Sequence, residues 1–274
     1  MNLRRRRHRR PTRSELSIYD PIPFGIDENG QPVAVTLMYR NLLAGGEPGS
    51  GKSSLLNTII AHAALCSDVK LWLFDGKIVE LGLWRPVADT FVGNNIHDAL
   101  DRLHELQAEM DLRYRQLDAA GRRKIVASDG LDAILCVIDE LAFFSVTTGT
   151  PGEQDEFKTL VRDLVARGRA AGIIVIAATQ RPSADIIPTS LRDLFGFRVA
   201  FRCTTDSSSD IILSVGWAKE GYSARAIRPE DIGIGWILAE GGIPRRFKAA
   251  YLTDSQIRAV IATALRRRGD NPAA

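Results

Sequence analysis

The residues that most constrain this chain lie at positions 46–53, where the sequence reads Gly-Glu-Pro-Gly-Ser-Gly-Lys-Ser. They fit the pattern G-x-x-x-x-G-K-[ST], a glycine-rich loop whose backbone N–H groups surround phosphate oxygens. A short apolar run, Leu42 to Ala44, precedes the loop, and apolar residues at helical spacing follow it from Leu55 to Ala64. This strand–loop–helix order predicts a site for a nucleoside triphosphate at the start of a helix.

Within this loop, Lys52 has the length to reach the β- and γ-phosphates, and the Ser53 hydroxyl is the expected ligand of Mg²⁺. The predicted nucleotide-binding residues are Gly46, Glu47, Pro48, Gly49, Ser50, Gly51, Lys52, Ser53 and Ser54.

Composition excludes several classes of protein. The chain has 274 residues and a formal net charge of only +3, so it is not a uniformly basic DNA-coating protein. No apolar run approaches the ~20 residues that span a bilayer, and no leader peptide is recognisable, so we expect no transmembrane segment. The cysteines Cys66, Cys136 and Cys203 lie far apart in apolar segments, which favours buried thiols in the reducing cytoplasm.

Positive charge is concentrated at the N-terminus, where seven arginines occupy the first 13 residues: Arg4, Arg5, Arg6, Arg7, Arg9, Arg10 and Arg13. Such a block repels itself, which predicts a disordered arm over residues 1–19. The arm is expected either to contact nucleic acid or anionic lipid, or to be a solvated tail, and both interpretations stay open. A single motor domain over 20–268 and a short tail over 269–274 complete the predicted organisation.

Strands and helices alternate along the rest of the chain. Turn residues at 27–30 predict a hairpin before the glycine-rich loop. Further strands are expected at 69–74, 134–138, 173–178, 198–203, 234–239 and 247–252, with helices at 97–117, from about 157, and at 254–268, and a loop over 147–152. This alternation predicts an α/β fold whose mostly parallel sheet carries helices on both faces.

An acidic pair, Asp139-Glu140, ends the apolar run at 134–138. Because ligands of α/β sheets bind at the carboxyl ends of the strands, the pair is expected beside the phosphates. Asp139 would hold Mg²⁺, and Glu140 would polarise the water that attacks the γ-phosphate. The alternative is that both carboxylates cap the following helix.

The next apolar strand ends in Thr179-Gln180, and an amide there could sense the γ-phosphate or simply cap its own turn. Hydrolysis gains from a guanidinium that meets the transition-state charge, often supplied by a neighbouring subunit. Arg167, Arg169, Arg198 and Arg202 are candidates, and spacing alone does not choose among them.

Together these motifs resemble the FtsK/SpoIIIE family of DNA-translocating ATPases from about Pro23 to Leu252. The most specific matches are Arg169-Ala-Ala-Gly-Ile and Ala178-Thr-Gln-Arg-Pro-Ser, which repeat the family's A-R-A-A-G-I and A-T-Q-R-P-S almost letter for letter. Asp75 to Leu81 is similar to the element D-P-K-x-x-E-L, with Gly76 in place of proline. Residues 109–114 resemble the M-E-x-R-Y helix end, and 198–201 resemble R-I-A-F.

The resemblance implies a RecA-like core that binds ATP and Mg²⁺ and assembles as a homo-hexamer around double-stranded DNA. It makes Gln180 the sensor residue and Arg169 the preferred trans-acting arginine, with Arg198 second. The segment 208–213, Ser-Ser-Asp-Ile-Ile-Leu, departs from the family's D-S-R-x-I-L, which leaves the role of that loop open.

In layout the chain looks most like the actinomycete plasmid-transfer proteins of the TraB/TraSA type. This implies a motor for plasmid or mobile-element DNA in conjugation, located in the cytoplasm and recruited to the inner face of the membrane by an anchored transfer partner. The alternatives are an ATPase module of type VII protein export, a chromosome-segregation motor, and a nucleotide-dependent DNA-binding module that barely hydrolyses ATP.

Overall fold

The computed structural model describes residues 16–269. The arginine block and residues 270–274 of the predicted tail lie outside the described residues. The strands are β1 (Ile22–Asp27), β2 (Pro32–Val35), β3 (Leu42–Gly45), β4 (Val69–Phe74), β5 (Thr90–Val92), β6 (Ala133–Ile138), β7 (Ile173–Thr179), β8 (Phe197–Phe201), β9 (Ile234–Ala239) and β10 (Arg245–Ala249). The α-helices are α1 (Lys52–Leu65), α2 (Ile96–Ala119), α3 (Pro151–Arg167), α4 (Thr189–Arg192), α5 (Asp206–Leu213) and α6 (Asp254–Gly269).

Short 3₁₀ turns at Gly82–Val87, Ala127–Asp129 and Ala224–Ala226 and a π-helical turn at Phe143–Thr147 complete the described elements.

All ten strands of the described region form one sheet in the order β2-β1-β10-β9-β8-β3-β7-β6-β4-β5. The six strands from β8 to β5 run parallel, and β2, β1, β10 and β9 extend the sheet with antiparallel pairs. β3 is central, with β7 and β6 on one side and β8 and β9 on the other. The predicted α/β architecture is confirmed, and the carboxyl ends of β3, β7 and β6 meet at one edge of the sheet.

Helices cover both faces of the parallel strands, because successive strand residues point to opposite sides. On one face, Leu42, Ala44 and Leu135 pack in a cluster with residues of α1 and α6. On the other face, Leu43 and Cys136 pack with residues of α2 and α3. The apolar sequences of β6 and of β7 up to Ala178 are explained by this double coverage, since neither face of these strands meets water.

Several predicted boundaries shift. The last strand is Arg245–Ala249, earlier than the predicted 247–252, because it begins with the charged residues Arg245 and Arg246, which an apolar pattern does not identify as part of a strand. The strand predicted at 198–203 is Phe197–Phe201. The predicted loop at 147–152 is shorter, since Thr150 caps α3 by accepting from Glu153 N–H while the Glu153 carboxylate accepts from Thr150 N–H.

The folded region begins before Asp20. Ile18 is fully buried in the core, and its N–H donates to the Asp68 carboxylate at 3.0 Å. The Ser17 hydroxyl donates to the other oxygen of Asp68. Residues 17–19, which the charge pattern assigned to the arm, are therefore part of the folded region.

Cys66, Cys136 and Cys203 are buried free thiols. Burial raises the pKa of the Cys136 thiol to about 12, so it stays neutral at physiological pH. Over residues 16–269, the structure contains no helix with both the length and the apolar character needed to cross a bilayer.

Candidate nucleotide site

The glycine-rich loop joins the end of β3 to the start of α1. Gly51 has a φ of 118° and sits so close to a neighbouring loop that a Cβ there would lie 2.5 Å from the Cα of Gly233. Gly49 has a φ of 70°, also in the left-handed region. Both positions therefore require glycine, and the resulting turn brings the loop N–H groups to the N-terminus of α1, where the helix dipole favours an anion.

Lys52, the first residue of α1, is buried against this loop. Its ammonium group donates to the carbonyl oxygens of Gly46 at 2.6 Å and Glu47 at 2.8 Å. Burial lowers the pKa of Lys52 to about 8, while the nearby carboxylates of Glu140 and Asp139 act in the opposite direction. The lysine is thus still predominantly protonated at neutral pH and presents its charge where the loop and the acidic pair meet.

Asp139 follows the last residue of β6 and is only 5% exposed. Its Oδ2 atom is buried and has no hydrogen-bond partner among the described residues. Burial, together with the charges of Glu80 and Asp75, raises the pKa of Asp139 to about 7. A buried carboxylate oxygen without a partner lowers the free energy of unfolding unless a cation or a hydrogen-bond donor reaches it.

Glu140 points to the tip of β7. Its Oε1 accepts from the Thr179 hydroxyl at 2.8 Å, and its Oε2 accepts from the Gln180 backbone N–H at 2.9 Å. Oε1 also accepts from the Ala142 N–H at 3.3 Å, the contact expected of a capping residue. Because β7 lies between β3 and β6, these bonds hold Glu140 toward the glycine-rich loop.

The loop after β4 contributes two further charged residues. The Ser53 hydroxyl donates to Glu80 Oε2 at 3.2 Å, and Lys77 Nζ lies 3.8 Å from Glu80 Oε1. Buried Asp75 shapes this loop by accepting from the N–H groups of Lys77, Ile78 and Leu81. The sequence of this segment resembles a family element, but the sequence analysis predicted no site role for Lys77 or Glu80.

A cavity of about 270 Å³ lies beside these groups at the carboxyl edge of the sheet, and some of them line it. Its walls are formed by Pro48, Gly49, Gly51, Lys52, Ser53, Ser54, Lys77, Glu80, Gln180 and Ile232. The structure therefore brings the predicted Lys52, Ser53, Asp139, Glu140 and Gln180 together at one edge of the sheet. Ile232 was missed, since a lone isoleucine in a loop gives no sequence signal.

Arg169 lies at the opposite edge of the sheet. It precedes β7, whereas Gln180 follows this seven-residue strand, and a strand of that length spans roughly 20 Å. The Arg169 Nε donates to the Tyr39 carbonyl at 2.7 Å, and its guanidinium lies 3.5 Å from the Glu240 carboxylate. Arg169 is thus outside the cavity of its own chain.

The other arginine candidates have partners within the chain. Arg198 is half-buried and donates to the Ser214 hydroxyl at 2.6 Å, and Arg167 is paired with Asp163 and Asp111. Arg202 follows β8 at the loop edge and forms an ion pair with Glu47. The Glu47 N–H also donates to the Arg202 carbonyl at 2.8 Å, so this pair braces the first half of the glycine-rich loop.

Comparison with known proteins agrees with the motifs. The FtsK/SpoIIIE family model matches residues 2–132. A DNA translocase FtsK of Treponema pallidum (strain Nichols) is 31% identical over 268 residues, which cover 88% of this chain and 31% of that protein. The chain therefore spans about a third of the length of the curated relatives it matches.

Solved structures share the fold. The monomer form of the pCW3 conjugation coupling protein TcpA with ATPγS aligns with a TM-score of 0.76 at 23% identity, covering 91% of this chain and 71% of that one. The cytoplasmic domain of the Thermomonospora curvata type VII secretion ATPase EccC aligns with a TM-score of 0.68 at 22% identity, covering 92% and 32%. At these identities the likeness to solved structures establishes the fold. The family-model match over residues 2–132 and the relatives that align with 88% of the chain confirm the predicted resemblance to the FtsK/SpoIIIE family.

Proposed function

We propose that this chain hydrolyses ATP to move double-stranded DNA. The observation that carries the proposal is the convergence of Lys52, Ser53, Asp139, Glu140 and Gln180 at one edge of the sheet. Curated relatives that are 29% and 31% identical to this chain are DNA translocases named FtsK. In this proposal the N–H groups of the glycine-rich loop bind the phosphates and Lys52 contacts the β- and γ-phosphates.

The donor set fits magnesium. Ser53 and Asp139 supply oxygen ligands, and Asp139 Oδ2 is the buried, unpartnered atom that a cation would satisfy. No group of three or more His, Cys, Asp and Glu side chains within residues 16–269 could hold a metal alone. Magnesium typically keeps water and substrate phosphates as ligands, so two protein groups suffice. When bound there, Mg²⁺ would neutralise charge on the β- and γ-phosphate oxygens.

Glu140 is the proposed general base. Its carboxylate takes a proton from the water whose oxygen attacks the γ-phosphorus, while the bond between that phosphorus and the β–γ bridging oxygen breaks and ADP leaves with the electron pair. The hydrogen bonds from Thr179 and Gln180 orient the carboxylate. They also couple it to the tip of β7, where the Gln180 side chain lines the cavity and can report the γ-phosphate.

A homo-hexameric ring is part of the proposal, because Arg169 would complete the site of a neighbouring subunit. Its position at the far edge of the sheet leaves it outside its own cavity. We expect Arg169→Ala to lower the ATPase rate by about 10³-fold, the typical effect of an arginine finger. Arg167→Ala is the matched control, since Arg167 lies at the same edge and is ion-paired, with Asp163 and Asp111, as Arg169 is with Glu240, but is not the arginine that the family resemblance selects.

Mixing subunits tests the composite site. Arg169→Ala subunits should regain part of their activity when mixed with Lys52→Ala subunits, because the latter still carry Arg169. Light scattering in the same buffer gives the mass of the assembly. An Arg169→Ala protein with normal turnover, or mixtures with no rescue, would contradict the trans role.

Translocation is tested by displacement of a triplex-forming oligonucleotide from duplex DNA. We expect ATP-dependent displacement that needs only phosphate contacts, is independent of sequence and falls as salt rises. Lys52→Ala is the control. Failure of displacement combined with stimulation by an export signal peptide would instead favour the protein-export alternative.

The cellular setting is proposed from the resemblance to plasmid-transfer proteins. We propose that the motor serves conjugative transfer of plasmid or mobile-element DNA in the cytoplasm, next to a membrane-anchored partner. The likeness to a conjugation coupling protein is a likeness of fold, and type VII secretion ATPases share it.

A further inference from the structure

Ile232 lies on the side of the cavity away from the catalytic groups. On one side of the central strand β3, the carboxyl ends of β7, β6 and β4 carry Gln180, the pair Asp139-Glu140 and the loop with Glu80. The opposite neighbours are β8 and β9, and Ile232 precedes β9 by two residues. In the proposed orientation, a nucleotide whose γ-phosphate faces Glu140 would direct its nucleoside end toward β8 and β9.

The turn that carries Ile232 is fixed to the glycine-rich loop. Gly233, with a φ of 84°, donates its N–H to the Ser50 carbonyl at 2.9 Å and accepts from the Ala249 N–H at 2.8 Å. The Ile234 N–H closes the turn on the Asp231 carbonyl at 3.2 Å. These bonds hold Ile232 in place, so it is ready to meet a ligand without a prior rearrangement of the chain.

The Ile232 side chain is 60% exposed although it lines a cavity whose other walls are mostly polar or charged. Pro48 is the other apolar residue of the wall. Single exposed apolar side chains are common on protein surfaces, so exposure alone does not indicate a role for Ile232. Its position in the wall of the cavity does. An apolar surface at the nucleoside end favours contact with the face of a heteroaromatic base, because the contact removes apolar surface of both from water.

We propose that Ile232 is the base-binding residue of this site and packs against the base of the bound nucleoside triphosphate. The inference rests on the proposed ATP-binding role of the glycine-rich loop. An isoleucine side chain has no hydrogen-bonding group, so it contributes affinity and does not select adenine over guanine. It gives no contact to inorganic triphosphate, which lacks the nucleoside.

The test measures binding of ATP, GTP and inorganic triphosphate by calorimetry to the wild-type protein, Ile232→Ala and Ile243→Ala. Ile243 is a matched control because it is 62% exposed and lies in the turn at the far end of β9 and β10, away from the cavity. We expect Ile232→Ala to weaken ATP and GTP about fivefold to tenfold and to leave triphosphate affinity unchanged. Ile243→Ala should leave all three unchanged.

Equal ATP affinity in the wild type and Ile232→Ala would overturn the inference, and so would an equal loss for ATP and triphosphate, which would make the turn a support of the loop. Thermal unfolding of each variant checks that the fold is intact; the exposed position of Ile232 makes loss of folding unexpected. These failures differ from failure of the proposed function, in which wild-type protein binds ATP with the expected pattern but is not stimulated by DNA.

Discussion

Replacement of Lys52 by alanine is expected to abolish ATP turnover and to weaken ATP binding by about 30-fold or more. The ammonium group is buried between the loop carbonyls and the acidic pair, where a charge–charge contact with phosphate is little screened by water. Loss of one partner from such a buried charged contact costs about 2–5 kcal/mol. Equilibrium binding of a fluorescent ATP analogue and steady-state phosphate release measure the two effects.

The control for this substitution is Lys70→Ala. Lys70 is an exposed residue near the amino end of β4, at the edge of the sheet away from the loop. It should bind and hydrolyse ATP as the wild type does. Retained ATPase activity in a folded Lys52→Ala protein would refute the assignment of residues 46–53 as the phosphate-binding loop.

Replacement of Glu140 by glutamine should separate binding from hydrolysis. The amide keeps the shape of the side chain but cannot take a proton from water, so single-turnover hydrolysis should fall about 10²- to 10⁴-fold. ATP affinity should stay within about threefold of the wild type, because Lys52 and the loop N–H groups remain. Rapid-quench measurement with radiolabelled ATP gives the hydrolysis rate, and mass measurement shows whether ATP now traps a stable ring.

Glu156→Gln is the matched control, since Glu156 contacts His104 on the surface, outside the cavity. The hydrogen bond that Glu140 accepts from the Ala142 N–H is the contact of a capping residue. If capping were the only role of Glu140, the amide substitution would have little effect on the hydrolysis rate. Hydrolysis at the wild-type rate in Glu140→Gln would therefore assign Glu140 to capping and leave the base to another group.

Local patterns were sufficient to predict five of the six parallel strands, namely β8, β3, β7, β6 and β4. β4 begins and ends where its apolar run does, and the glycine-rich loop, the acidic pair and Gln180 each follow the end of a strand. Strand ends meet at one edge in any parallel sheet, so their convergence could be predicted without knowing the strand order. The short strand β5 and helix α5 were not predicted, because three and eight residues carry too little periodicity.

Contacts between distant segments could not be predicted in this way. The ion pair of Glu47 with Arg202 depends on β8 lying next to β3, and the approach of Gly233 to Gly51 depends on β9 lying beyond it. The position of Arg169 at the far edge of the sheet follows from the direction of β7.

We propose that duplex DNA drives the ATPase of this chain, and the rate of phosphate release with and without duplex DNA at low salt tests this proposal. The mass of the sample is measured in the same buffer. We predict a clear stimulation that disappears in Lys52→Ala and declines as salt releases the phosphate contacts. A wild-type rate that duplex DNA leaves unchanged at low salt, in a sample that binds ATP, would contradict the claim.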